Sequence, residues 1–235
     1  MTEEDYIDFR CPFCDVAVSF PRTHAGTAQG CPECLESLVV PGVQGEPGQP
    51  LPLPIQTPRL VLRRLAAGDW KDLLELMADP ELFQFLETPP LDEEGIVQWL
   101  ESDRSVRLTQ TGQFLHLGLE LAEGAKLIGY LSLAYRDEAH QQLTLTGLLG
   151  RAHHCQGYGT EAVGAVLRFG FQGLGLHRVV ASCDARNVAA SRLFAKTGFR
   201  REGEFLKERK VRDEWISTVW FAILREEWAP PPPAA

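Results

Sequence analysis

The chain has 235 residues, with 44% hydrophobic and 23% charged side chains, and carries a formal net charge of −9. These proportions are ordinary for a globular protein with a sizeable core, and the negative charge argues against a large nucleic-acid-binding surface. No uncharged apolar run approaches the roughly 20 residues that span a bilayer, and the N-terminal sequence MTEEDYIDFR lacks the apolar core of a signal peptide. We therefore expect a cytoplasmic protein that binds neither nucleic acid nor membranes.

Composition divides the chain into four parts. Residues 1–41 contain four of the six cysteines and are predicted to form a small domain. Residues 42–56 are dense in proline and glycine, with Glu46 as their only charge, which is typical of a semi-extended linker. Residues 57–229 are predicted to form the main domain, and residues 230–235 a proline-rich tail.

The clustered cysteines predict a metal site. Cys11, Cys14, Cys31 and Cys34 form two C-x₂-C pairs separated by sixteen residues, the spacing of a four-cysteine zinc site. About forty residues bury too little apolar surface to fold alone, so a metal ion would stabilise the segment. A redox pair is the alternative interpretation, but it does not require the second C-x₂-C. The segment resembles a zinc ribbon.

The charge of this segment limits its partners. Residues 1–41 contain seven acidic and two basic residues, a net charge of −5. Phosphate backbones would be repelled. The segment is therefore predicted either to contact a protein partner or to support the fold.

Strand-like and helix-like patterns alternate in residues 57–229. RLVLRRL predicts a strand, GDWKDLLELMADPELFQFL a helix with Asp69 as its N-cap, and EEGIVQWLESDRSVR a second helix. FLHLGLELAEGAKLIGYLSLAYR predicts a hairpin that turns at Glu123–Gly124, and QQLTLTGLL a further strand. There follow a helix over Thr160–Gln172, a strand in LHRVVASCDA, a helix over Val188–Lys196 that ends at Gly198, and two final strands. This order indicates a mixed α/β class.

The stretch HHCQGYGTEA, residues 153–162, predicts a phosphate-binding loop. Gly157, Gly159 and Ala162 match the dinucleotide fingerprint G-x-G-x-x-G/A, and Asp184 lies near the position of a ribose-binding acid. Two observations count against that interpretation. The segment GRAHHCQ separates the strand from the first glycine, and too little chain follows Asp184 to complete a doubly wound sheet.

Residues 57–228 resemble the GCN5-related N-acetyltransferase (GNAT) superfamily, within it the branch of ribosomal-protein N-terminal acetyltransferases. The resemblance rests on the order of five segments: TPRLVLRRL, LIGYLSL, HHCQGYGTEAV, LHRVVASCDARNVAASRLFAKTGFRREG and DEWISTVWFAILREEW. It implies an α/β (α+β) GNAT fold, in which a mixed, mostly antiparallel central sheet is flanked by helices. Here the zinc ribbon would precede that fold.

The resemblance also implies an acetyl-CoA site. Backbone N–H groups of the loop and of the helix start would hold the CoA pyrophosphate. The strand near Leu148 to Gly150 would splay from its neighbour, so that the pantetheine adds like a strand and a backbone N–H polarises the thioester carbonyl. The predicted cofactor-binding residues are Leu149, Gly150, His154, Cys155, Gln156, Gly157, Tyr158, Gly159, Thr160, Asn187 and Ser191.

Simpler roles remain open for several of these residues. Gly157 and Gly159 could serve only a tight turn, and Asn187 could cap the following helix. His153 and His154 could be structural parts of the loop. Cys155, like Cys183, could be a small packing residue.

Catalytic groups are harder to assign. The family commonly has a tyrosine where this chain has Phe194, an acid in the run Leu143 to Thr146, and an aspartate at Ser217. The remaining candidates are His116 and Glu120, on one face of a strand, and Ser191 as a donor to the leaving thiolate.

These observations lead to two hypotheses. The first is an acetyl-CoA-dependent N-acetyltransferase that acts by direct attack of a primary amine, a protein N-terminus being favoured and a small-molecule amine next. The second is a non-catalytic acyl-CoA-binding adaptor whose ribbon recruits a protein partner.

Overall fold

A computed structural model describes residues 6–11, 14, 16–24, 28–35, 37–39, 53–103, 108, 111–137 and 139–229. Most of the predicted linker, residues 42–56, and all of the predicted tail, residues 230–235, lie outside the described residues. The domain boundaries therefore stay predictions. Within the described ranges, none of the helices combines the length and apolarity needed to cross a bilayer.

The cysteine-rich segment folds as two small hairpins. Strand β1 (Tyr6–Arg10) pairs antiparallel with β2 (Ala17–Pro21), and β3 (Ala28–Gly30) with β4 (Ser37–Val39). Each C-x₂-C pair lies in the connection of one hairpin, so that the two connections bring their thiols together. Among the side chains that the structure describes in this segment, Cys11, Val18 and Cys31 form a buried core.

An eight-stranded sheet forms the rest of the fold, with strand order β11-β12-β10-β9-β8-β7-β6-β5. Its strands are β5 (Ile55–Gln56), β6 (Leu60–Arg64), β7 (Phe114–Leu121), β8 (Leu127–Asp137), β9 (Gln142–Leu149), β10 (Arg178–Asp184), β11 (Arg200–Val211) and β12 (Glu214–Leu224). Neighbours are antiparallel except β9 and β10, which are parallel. The mixed, mostly antiparallel sheet expected from the sequence is confirmed.

Helices cover both faces of this sheet. They are α1 (Trp70–Met77), α2 (Glu93–Asp103), α3 (Tyr158–Arg168) and α4 (Val188–Lys196). On one face, Leu143 and Leu145 of β9 pack in a core with Val163 and Val166 of α3. On the other face, a second core combines α1 and α2 with the opposite side of the strands, including Leu148. The alternation of side chains along each strand places the two sets on opposite faces.

Two of the predicted helices have different bounds in the structure. The first helix ends at Met77 instead of continuing through FQFL, because Pro80 cannot join a helical hydrogen-bond ladder. The third begins at Tyr158, two residues earlier than predicted, and passes into a π-helical turn at Phe169–Gly173. The predicted continuation of α2 over residues 104–107 lies outside the described residues.

Asp69 occupies the N-cap position of α1, as predicted, but its side chain does not cap the helix. Its carboxylate makes no capping bond to the helix but accepts from the backbone N–H of Ala66 at 2.7 Å and pairs with Arg63 at 2.8 Å. Two local predictions are confirmed. The hairpin turns at Gly124, where φ is +85°, and α4 is followed by Gly198 with φ of +91°, the left-handed conformation that ends helices.

Candidate active site and metal centre

A gap opens in the sheet between the C-terminal halves of β9 and β10. The two strands pair only from Gln142 opposite Arg178 to Leu145 opposite Ala181. Beyond that point, each strand is paired, within the described residues, only with its other neighbour: β9 with β8, and β10 with β12. The splay that was expected near Leu148 to Gly150 therefore begins at Thr146.

Alternate backbone N–H groups of β9 face this gap, that of Leu149 among them. The N–H of Gly150 donates to the carbonyl of Ile128 at 2.8 Å and is engaged by β8. Because successive residues of an antiparallel strand direct their backbone groups to opposite sides, the N–H of Leu149 is directed towards the gap. The carbonyl of Leu149 accepts from Nε2 of His154 at 2.8 Å, which ties the following loop to the edge of the gap.

The glycine loop forms the N-terminus of α3. Gly157 is the N-cap residue with φ of +87°, a conformation that favours glycine. The first N–H groups of a helix have no intrahelical partner, and among the described residues no side chain caps this terminus. Their partial positive charge is available to an anion.

Arg59 and Glu161 attach this loop to the start of β6. Arg59 donates to the carbonyl of Gln156 at 2.9 Å and to the carboxylate of Glu161 at 2.7 Å, and its guanidinium lies 4.4 Å from the ring centre of Tyr158. Thr57 also donates to Glu161, at 2.7 Å. Burial raises the pKa of Glu161, but the hydrogen bonds from Thr57 and Arg59 outweigh burial and leave this pKa below its usual value.

The predicted cofactor-binding residues converge on the gap from three elements. A Cβ atom on Gly159 would lie 3.4 Å from Leu193 of α4 and 4.0 Å from Leu149 of β9, so the loop is closely packed between them. Asn187 accepts from the N–H of Ala190 at 2.9 Å and caps α4, as the simpler interpretation predicted. Beside it, Ser191 Oγ lies 3.5 Å from Cys183 Sγ.

The three catalytic candidates are not brought together. Glu120 accepts from Arg63 at 2.6 Å, and Arg63 also binds Asp69. These hydrogen bonds, to Asp69 first, raise the pKa of Arg63 despite its burial. His116 faces α2, whereas Ser191 lies against Cys183 at the core that contains α3.

Two of the three departures from the family pattern, at Phe194 and Thr144, have defined positions in the core and the sheet. Phe194 is buried, with its ring centre 5.4 Å from those of Phe199 and Phe221, and therefore fills core volume. Thr144 lies between Ala134 and Val180 in the sheet. Neither residue offers a titratable group.

The structure adds residues that sequence reasoning missed. Nδ1 of His116 lies 2.7 Å from Oδ1 of Asp103, whose side chain is only 3% exposed. The ring centres of Trp99 and Tyr130 lie 4.9 Å and 6.2 Å from that of His116. Trp99 and Asp103 are four residues apart on a helix, the spacing of one helical face, and that signal could have identified them.

The four clustered cysteines have the geometry of a tetrahedral metal site. Their sulfur atoms all lie within 4.8 Å of one another, and Cys11–Cys34 and Cys14–Cys31 are each 3.7 Å apart. A tetrahedral ion with Zn–S bonds of about 2.3 Å requires sulfur atoms about 3.8 Å apart. Hydrogen bonding from the backbone of Cys34 lowers the pKa of Cys31 to about 7, against the opposing effect of burial. The residues therefore fit a zinc ion.

Comparisons with known proteins agree with this architecture. The family model for the acetyltransferase (GNAT) domain matches residues 59–200. The Bacillus subtilis (strain 168) protein described as "Uncharacterized N-acetyltransferase YnaD" is 27% identical over 174 residues, which are 74% of this chain and 98% of that protein.

Solved structures give the same result. An acetyltransferase of the GNAT family from Bacillus anthracis aligns with a TM-score of 0.67 and 25% identity over 73% of this chain and 98% of that one. A GCN5-related N-acetyltransferase from Brucella melitensis aligns with a TM-score of 0.65 and 22% identity over 79% and 86%, and shares the fold. The chain belongs to the GNAT acetyltransferase family.

Proposed function

We propose that the protein is an N-acetyltransferase that uses acetyl-CoA to acetylate a primary amine by direct attack. The observation that carries this proposal is the gap between β9 and β10, which has the N–H of Leu149 on one side and the uncapped start of α3 at its end. Membership of the GNAT family supports it. The non-catalytic adaptor is the rival, favoured by the departures from the family pattern at Phe194, Thr144 and Ser217.

Acetyl-CoA, when bound, supplies an activated acetyl thioester. The first-turn N–H groups of α3 and the loop at Gly157 would hold its pyrophosphate. The N–H of Leu149 would donate to the thioester oxygen and stabilise the negative charge that develops there. Ser191, at the start of α4, would lie beside the pantetheine arm. As the C–N bond forms and the C–S bond breaks, the amine loses a proton and the thiolate gains one.

The acceptor is proposed from chemistry and from motif resemblance. A primary amine is the acceptor class that we infer from family membership. The motif order favours a protein N-terminus, in keeping with the ribosomal-protein branch, and a small-molecule amine comes second.

Calorimetry and turnover assays test this function. We expect saturable acetyl-CoA binding by the full-length protein and release of free thiol with at least one member of a panel of peptides and small amines. Absence of saturable binding would overturn the cofactor assignment. Binding without turnover on any acceptor would support the adaptor.

We further propose that the cysteine cluster binds one structural zinc ion. The 3.7 Å sulfur separations and the small core of the segment support this assignment. Metal analysis of the purified protein is expected to find one zinc per chain. Cys14→Ser should lose the metal, whereas Cys155→Ser, at an exposed position outside the cluster, should keep it. Equal zinc content in both variants would contradict the proposal.

A further inference from the structure

A row of polar side chains crosses three strands and ends at the gap. His116 on β7 is paired opposite Ser132 on β8, and Ser132 is paired opposite Thr146 on β9. Directly opposed residues of an antiparallel sheet share a face, with Cβ atoms about 4.5–5.5 Å apart. Thr146 is the first residue of β9 beyond its pairing with β10. The row therefore connects the edge of the gap with an imidazole.

The neighbouring rows on the same face do not continue this chain of hydroxyls. In the next row towards the start of β9, Thr144 faces Ala134. In the other direction, Leu148 faces Tyr130. Thr146 is exposed and Ser132 is partly exposed, so water can reach both hydroxyls. A spacing of about 5 Å between opposed residues leaves room for a bridging water between consecutive groups.

The imidazole at the end of the row is held in one orientation. The carboxylate of Asp103 can only accept, so Nδ1 of His116 donates to it at 2.7 Å, which leaves Nε2 as the ring nitrogen that can take part in proton transfer. Trp99 packs edge-on against the ring. The His116 side chain is 16% exposed, which allows it to exchange protons with solvent.

The groups that surround His116 do not compete with it as bases. Asp103 faces it from α2, and Tyr130 from β8. Burial raises the pKa of Tyr130, which keeps the phenol protonated around neutral pH. Glu120, farther along β7, is paired with Arg63.

We propose that the proton released by the acceptor amine passes over Thr146 and Ser132 to Nε2 of His116, with Asp103 as the positioning residue. Each hydroxyl accepts one proton and donates another, so the relay is left unchanged. The lone pair freed on the nitrogen attacks the thioester carbon, the C–S electrons leave with the CoA thiolate, and the second proton lost by the nitrogen passes to that thiolate. His116 then releases its proton to solvent. The inference rests on the proposed function.

The decisive comparison uses two threonines on the same strand and face. Thr146→Val removes the hydroxyl at the gap, and Thr144→Val makes the same change one row away, where no serine is opposed. We expect Thr146→Val to lower kcat about tenfold with little change in the KM for acetyl-CoA. Thr146→Ser, which keeps a hydroxyl, should have the wild-type kcat. Thr144→Val should also match the wild type.

Substitutions at the other end test the base. We expect His116→Gln to lower kcat about a hundredfold and to change the pH profile of kcat. Asp103→Asn should also change that profile. Melting temperatures of all variants distinguish a lost relay from a damaged fold.

The outcomes separate the two proposals. Equal kcat values for Thr146→Val and Thr144→Val, or an unchanged pH profile in His116→Gln, would overturn the relay while leaving the enzyme assignment intact. A wild-type protein that binds acetyl-CoA but acetylates no amine would overturn the proposed function and the relay with it.

Discussion

Asp184 at the end of β10 is a buried carboxylate whose hydrogen bonds come from Arg186. Its side chain is 1% exposed, and it accepts from the Arg186 guanidinium at 2.7 Å and from the Arg186 backbone N–H at 2.8 Å. Burial acts to raise the pKa of Asp184, but these hydrogen bonds and the charge of Arg186 hold it below the usual aspartate value. The residue therefore stabilises the end of β10 and is unsuited to bind a ribose.

The pKa of Asp184 gives a prediction with a defined sign. A carboxyl whose pKa is lower in the folded state stabilises the fold above its unfolded pKa, and this effect is lost as the pH falls through its folded pKa. We expect Asp184→Asn to lower the free energy of unfolding by about 1–3 kcal/mol at pH 7, and the deficit to shrink below about pH 4. Urea titrations of Asp184→Asn and the wild type at pH 7 and pH 3 measure this difference in the free energy of unfolding.

The control for this prediction is Asp213→Asn, at a side chain that is 94% exposed. We expect that variant to unfold like the wild type at both pH values. A deficit of Asp184→Asn that is equal at pH 7 and pH 3 would show that the effect does not come from its charge.

Glu120 gives a second prediction at the scale of the residue. Its carboxylate is bound to Arg63, which holds β7 to the segment around Asp69. We expect Glu120→Gln to keep kcat within about twofold and to lower the free energy of unfolding by about 1 kcal/mol. Acetyl-transfer kinetics and urea titration measure the two effects. A tenfold loss of kcat in a variant of unchanged stability would instead place Glu120 in the reaction.

At the scale of the element, the start of α3 depends on one glycine. Gly157 has φ of +87°, whereas Gly164 lies within the same helix and has no atoms within 4 Å of an added Cβ. A side chain at positive φ costs about 1–2 kcal/mol, so Gly157→Ala strains the loop. We expect this variant to weaken acetyl-CoA binding about tenfold, equivalent to roughly 1.4 kcal/mol, as measured by calorimetry.

Gly164→Ala is the matched control. Alanine is preferred over glycine within helices, so this variant should be as stable as the wild type or up to about 1 kcal/mol more stable. It should bind acetyl-CoA normally. Equal affinities in the two variants would show that the positive φ of Gly157 is not needed for cofactor binding.

The sequence predicts those elements whose signals are local. The alternation in β6 and the cap at Asn187 depend on residues within one element, and both predictions are confirmed. The pair Asp103 and His116 is different, because a helix end and a strand thirteen residues later meet only through packing. In the same way, only the register with β8 shows that the N–H of Leu149, and not that of Gly150, faces the gap.

At the scale of the whole molecule, the cysteine segment and the eight-stranded sheet have separate cores. The core of the cysteine segment contains Cys11, Val18 and Cys31 and shares none of its described residues with the cores of the eight-stranded sheet. So small a core does not offset the conformational entropy of its segment without a cross-link. Metal binding at the cysteine site should therefore control the folding of the cysteine segment but not that of the eight-stranded sheet.

Chelation tests this independence. We expect treatment with a zinc chelator to unfold residues 1–41, seen as loss of amide protection in hydrogen exchange, because metal binding and folding are coupled in so small a segment. The eight-stranded sheet should keep its protection, and acetyl-CoA should still raise its melting temperature, since a ligand that binds only the folded state stabilises it by mass action. If chelation also abolished the acetyl-CoA shift, the cysteine segment would have to contribute to the cofactor site, and the two parts of the chain would not be independent.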